Sequence, residues 1–160
     1  MRSSFDNERW NSTFINTLLS LTPSQEFRGH FHTFWTEKGH RLRSVINDDY
    51  TLAKLLWHLL PKYEGDKVTL YRGENIGRLS NNKVGFCWTP SQETATMFAS
   101  GLNAIETGGV LLSIECRPEW IISSPSQHSI YLGENEYTID PARIDRFDRI
   151  KEYEPSHIEQ

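Results

Sequence analysis

The sequence predicts an α+β fold in which helices come first and pack on a mixed or antiparallel β-sheet core. Three observations carry that expectation. Apolar residues recur at helical spacing through the first 60 residues, the pattern turns extended after Gly65-Asp66, and short apolar runs separated by turn residues continue from there to Ile150. A chain of 160 residues that is 37% hydrophobic and 24% charged is in the range of one globular core, burying roughly 70% of its unfolded surface. Residues 1–160 are therefore expected to form a single domain, helical over 1–62 and sheet-rich over 67–150.

Trp10, Phe14, Ile15, Leu18 and Leu19 mark a first helix that stops at Thr22-Pro23, since a residue before proline disfavours helix. Phe27, Phe31, Phe34 and Trp35, then Leu42, Val45 and Ile46, mark a second helical pattern, with an interruption expected near Gly39. Its aromatic residues are expected in the core. A third helix, capped by Asp48 or Asp49 and ended by Pro61, carries Leu52, Leu55, Leu56, Leu59 and Leu60 on one face. Val68 to Tyr71, Val84 to Trp88, Val110 to Ile114, Trp120 to Ile122, Tyr131 to Ile139 and Arg143 to Ile150 have the composition of strands, and residues 91–100 that of a helix. Ser123 to Ser129 reads as a polar loop and Pro155 to Gln160 as a loose tail.

Several function classes find no support in the composition. A net charge of −4 argues against broad electrostatic attraction to nucleic acid or anionic membrane. The cluster Lys38, His40, Arg41 and Arg43 is read as a solvated helix face. No apolar stretch of signal-peptide or membrane-span length follows the start, so the protein is expected in the cytoplasm where it is made, or delivered from there into a target cell. Cys87 and Cys116 are expected as reduced core residues. His30 and His32 point apart on a helix, and nothing completes a ligand set with them and His40, so no metal is expected. There is no Gly-x-Gly-x-x-Gly, phosphate loop or Ser-His-Asp arrangement for a dehydrogenase, kinase or hydrolase.

Three segments combine polar residues with a strand edge. In Tyr71-Arg72-Gly73-Glu74 an arginine, whose planar fork suits diphosphate oxygens, precedes a glycine that lets a ligand approach the backbone closely. In Trp88-Thr89-Pro90, with Gln92 three residues after Thr89, the hydroxyl has the spacing of a capping box with proline at the first helical position. In Glu134-Asn135-Glu136-Tyr137, an extended strand would turn both glutamates to one face, where paired carboxylates are costly unless they serve a ligand. Two glutamates on a solvated strand face are the plain alternative.

In order and spacing these segments resemble the ADP-ribosyltransferase family of the Arg, Ser/Thr, Glu-x-Glu type, which includes bacterial toxins and phage transferases. The likeness covers roughly residues 67–150, and Ala95, Phe98 and Ala99 after the hydroxyl strand add to it. The departure is at Pro90 and Ser91, so of the family's hydroxyl triplet only Thr89 is carried over. The resemblance implies the family's fold, NAD as substrate, and mono-ADP-ribosyl transfer after cleavage of the nicotinamide–ribose bond. It implies that Glu136 stabilises the oxocarbenium-like transition state, Glu134 faces the acceptor, Thr89 orients Glu136, Arg72 contacts the cofactor phosphates and the backbone of Gly73 holds the nicotinamide amide. Ser123 to Gly133 falls where the family places its acceptor-recognition loop. Glu-x-Glu favours arginine on a protein as acceptor; a nucleic acid remains an alternative acceptor, and an antitoxin or inhibitor a further partner. The competing readings are a catalytically silent interaction module on the same fold and an NAD glycohydrolase without acceptor.

Overall fold

The computed structural model describes residues 10–155. Helix α1 (Ser12–Ser20) is capped by Asn11, whose side chain accepts from the Phe14 amide. Helix α2 (Gln25–Ile46) starts at the Ser24 cap and runs unbroken to Asn47, which closes it in the left-handed conformation. The interruption expected near Gly39 is absent. A Cβ there would sit 3.0 Å from the Trp35 ring, so this glycine gives the indole room and does not end the helix. Helix α3 (Asp49–Leu59) is capped by Asp48, and Leu52, Leu55, Leu56, Leu59 and Leu60 are all fully buried. Their partners are Phe31, Trp35 and Leu42 of α2 together with Phe86 and Ile122 from the second half of the chain, so the helices pack on the sheet region.

That region holds two three-stranded antiparallel sheets. The first has the order β1 (Val68–Asn75), β3 (Gly109–Cys116), β6 (Asp148–Tyr153), with Arg72 opposite Leu112 and Gly73 opposite Leu111. The second has the order β2 (Cys87–Trp88), β5 (Tyr137–Ile139), β4 (Ile121–Ser123). The fold is α+β, and both sheets are antiparallel throughout. A single bridge between Tyr71 and Thr89, with amide–carbonyl distances of 2.7 and 2.9 Å, joins the two sheets at one edge. Helix α4 (Ile76–Ser80) follows β1, and helix α5 (Gln92–Ser100) covers the Tyr71–Gly73 side of the first sheet. The opposite side of β1, carrying Leu70, packs towards Trp88 and Ile139 of the second sheet. Period-two alternation on β1 thus separates a helix-covered face from a face between the sheets.

Three further expectations change. The run from Tyr131 to Ile139 is not one strand: helix α6 (Gln127–Tyr131) occupies its start and only Tyr137–Ile139 pairs. The polar loop is correspondingly shorter and ordered, because Ser126 caps α6 by accepting from the Ser129 amide and both serines are buried. Arg143 belongs to a 3-10 turn (Pro141–Arg143), and β6 begins only at Asp148. No helix among the described residues is long and apolar enough to cross a membrane. Of the tail expected from Pro155, all but Pro155 itself lies outside the described residues.

Candidate functional site

Where the two sheets meet, a cleft of about 1440 Å³ opens between α2, β1, β2, α5 and the segment before β5. Arg72, Gly73, Thr89, Glu134 and Glu136 all border it. Residues up to 64 positions apart, from Arg72 to Glu136, are therefore brought to one concave surface.

Arg72 is the most constrained of them. On an extended strand, residues two apart share a face, and Glu74 lies beside Arg72 on the face between the sheets. Arg72 Nε donates to Glu74 Oε2 at 2.7 Å and Nη1 to the Cys87 carbonyl at 2.8 Å. Glu74 is fully buried and also accepts from the amides of Asn75 at 2.9 Å and Gly85 at 2.8 Å, with Arg78 3.6 Å away. Burial alone would lower the Arg72 guanidinium, but the Glu74 carboxylate reverses the sign and holds it above its ordinary value. Burial likewise pushes the Glu74 carboxyl up, and Arg72 with the two amides outweighs it and holds it below the usual range. Gly85 completes the cage, since a Cβ there would collide with the guanidinium.

Gly73 permits a close approach, and the neighbour that uses it is α5: a Cβ would run into the backbone of Ala95 and Ala99. The Gly73 carbonyl is taken by Asn103 Nδ2 at 2.6 Å, so the contact the sequence left to a ligand is partly filled by the protein.

Thr89 is buried and is not the helix cap. Ser91 caps α5 by accepting from the Thr94 amide at 3.1 Å, and Thr89 Oγ1 accepts from the Ser91 amide at 3.1 Å. Proline thus sits between two hydroxyl turns, one residue ahead of the helix cap. Among the described residues no hydrogen bond joins Thr89 to Glu136. The side chain that reaches Glu136 from this strand is that of Cys87, which is half-buried in the cleft and hydrogen-bonded to it. Burial, then the charge of Glu136, raises this thiol far above its ordinary value, so it is held as S–H. Cys116 is the core residue expected, with a thiol pushed up to about 12 by burial and the nearby Glu119.

Glu134 and Glu136 precede β5 rather than lying in it, and Asn135 between them is left-handed at φ 49°. Strand alternation is therefore not what brings them together. Both are half-buried, and the Glu136 carboxyl hydrogen-bonds that of Glu134. Burial first, then the charge of Glu134, pushes Glu136 up to about 7, while Arg72 and the Cys87 hydrogen bond pull the other way. The segment hangs on buried Ser129: its Oγ accepts from the Glu136 amide at 2.9 Å, and its carbonyl from the Glu134 amide at 3.0 Å. Ser126 Oγ in turn lies 2.7 Å from Thr36 Oγ1 of α2, and Trp35 Nε1 donates to Thr138 Oγ1 at 2.9 Å. The helical first third of the chain thereby fixes the carboxylates.

Arg43 departs from the solvated face expected for its cluster. It chelates Asp49 through Nε and Nη2 at 2.9 and 2.8 Å, donates to the carbonyls of Lys83 and Val84, and lies over the Phe86 ring. It therefore anchors the 83–86 loop that carries Gly85 to Arg72.

Glu74, Cys87 and Ser129 are the site residues the motifs missed. For the first two a signal existed, because Glu74 is two residues from Arg72 and Cys87 two from Thr89, hence on the same face of extended backbone. Ser129 had none, since its role depends on a helix the loop composition concealed. Compared with protein-family models, curated proteins and solved structures, the chain matches none of them.

Proposed function

We propose that the protein is a mono-ADP-ribosyltransferase that cleaves NAD at the nicotinamide–ribose bond and passes ADP-ribose to a macromolecular acceptor, with arginine on a protein favoured. The observation that carries this reading is a half-buried pair of hydrogen-bonded carboxyls, one pushed up to about 7, facing a half-buried arginine across one cleft. Such a pair is unfavourable by itself and becomes favourable when positive charge develops beside it.

The reaction supplies that charge. The C1′–N1 bond breaks, nicotinamide leaves neutral with the electron pair, and the ribose carries oxocarbenium character until the acceptor adds its nucleophilic atom and loses a proton. Because the leaving group departs neutral, a strong acid is not needed, and one ionised carboxylate at the ribose dominates. Glu136 fits that role, with Glu134 beside it to take the acceptor proton. Arg72 offers the diphosphate a cation held in place before binding. Membrane attachment is not part of the proposal, and the cytoplasm or a target cell is where NAD and acceptor would be met.

Purified protein and its Glu136→Gln variant, incubated with labelled NAD alone and with cell lysate, test this. Glu136-dependent release of nicotinamide with label on protein or RNA supports the transferase and reports the acceptor class. Release without label leaves the glycohydrolase, and intact NAD in every condition leaves the silent binding module.

A further inference from the structure

Arg72 is usually what an arginine motif draws attention to, yet the geometry makes its position a property of Glu74. We propose that Glu74 is a positioning residue: it fixes the Arg72 guanidinium through Nε so that the substrate's diphosphate meets a preset donor. The inference rests on the NAD-dependent reading of the cleft.

Two contacts define the arginine. Nε is held by Glu74 at 2.7 Å, Nη1 by the Cys87 carbonyl at 2.8 Å, and Nη2, above Gly85, makes no hydrogen bond among the described residues. An arginine has five N–H donors, so two directed contacts orient the fork and leave donors for an anion. Glu74 cannot move away, because it is fully buried and tied to the Asn75 and Gly85 amides. The Gly85 bond also couples the carboxylate to the loop that Arg43 anchors, so one side chain sets both the guanidinium and the wall above it.

Two opposite effects compete. By charge alone Glu74 neutralises Arg72 and weakens anion binding; by geometry it removes the ordering of a long flexible side chain from the binding step. Geometry wins, so loss of Glu74 weakens anion binding.

Dissociation constants for ADP-ribose and for nicotinamide are measured by calorimetry on the full chain, with KM and kcat for NAD, in the wild type, Glu74→Gln, Glu74→Asp and Gly85→Ala. Expected for Glu74→Gln is a tenfold or greater loss of ADP-ribose affinity and a matching rise in KM, with kcat and nicotinamide affinity within about threefold, and partial recovery in Glu74→Asp. Gly85→Ala leaves the carboxylate in place, displaces the guanidinium and is expected to lose ADP-ribose affinity similarly, so the claim stays testable where Glu74→Gln fails to fold. Tighter ADP-ribose binding in Glu74→Gln, or equal losses for ADP-ribose and nicotinamide, overturns the positioning role while leaving the transferase intact. A wild type that binds neither ADP-ribose nor NAD overturns both.

Discussion

The two charged segments of the cleft are built on opposite principles. Around Arg72 opposite charges meet: a buried carboxylate, itself tied to two amides, and a carbonyl hold the guanidinium on a regular strand and leave Nη2 open among the described residues. Around Glu136 the nearest charged neighbour is another carboxylate, on a loop with a left-handed asparagine, and burial adds to the conflict. Binding and orientation need rigidity and favour the first arrangement. Stabilising a transient cation needs unspent negative potential and favours the second. For the proposed reaction, a site that combined satisfied arginine and satisfied glutamate would hold NAD without straining towards its cleavage.

The largest expected effect breaks the satisfied half. Arg72→Met leaves buried Glu74 with only the exposed Arg78 guanidinium, 3.6 Å away, as counter-ion, and about 3–5 kcal/mol of stability is expected to be lost, measured by urea unfolding at pH 7. The other half responds in activity. Glu136→Gln is expected to lower nicotinamide release about 10²–10³-fold, as does removal of one preorganised electrostatic contact elsewhere. In stability the same variant should gain. Because the folded Glu136 carboxyl is raised from 4.5 to about 7, the native state holds more protons than the unfolded state between those values, and wild-type stability falls as pH rises through that window. The melting temperature of Glu136→Gln should therefore pull ahead of wild type from pH 5 to pH 8; parallel curves would remove the conflict attributed to this residue.

Ser129→Ala removes the hydroxyl that takes the Glu136 amide and is expected to destabilise by about 1–3 kcal/mol, read by the same unfolding assay. Smallest is Glu134→Gln. Removing that negative charge lowers the Glu136 value, so the rise of nicotinamide release with pH expected near 7 in the wild type should move to lower pH. An unmoved profile would assign the titration to another group.

Periodicity exposed most of the helical part. The four leucines of α3 and Leu60 at its C-cap are buried as their spacing requires, and Asp48 caps the helix. Gly39 misled because a helical glycine signals a break in the chain but also serves a packed indole, and only the tertiary neighbour distinguishes them. Strands were legible where a buried run was continuous, as in β3, and illegible near the site. Tyr131 to Ile139 has strand composition, yet Ser126 and Ser129 spend their hydroxyls on α6 and on the following backbone. For the site, motif order brought Arg72, Thr89, Glu134 and Glu136 to one cleft, although the strand geometry invoked for the glutamates is not the one observed. What spacing could not convey is who holds whom: Glu74 on Arg72, Cys87 on Glu136, and Trp35 on Thr138 across 103 residues.

Nicotinamide release from NAD by the wild type and Glu136→Gln, followed by proton NMR in one buffer at pH 6, 7 and 8, tests the central claim most directly. Free nicotinamide is expected to accumulate in the wild type, faster as pH rises through about 7, and to remain near the uncatalysed background in the variant at all three values. Equal release by the two proteins, or intact NAD with both while their folds are demonstrably native, would contradict it.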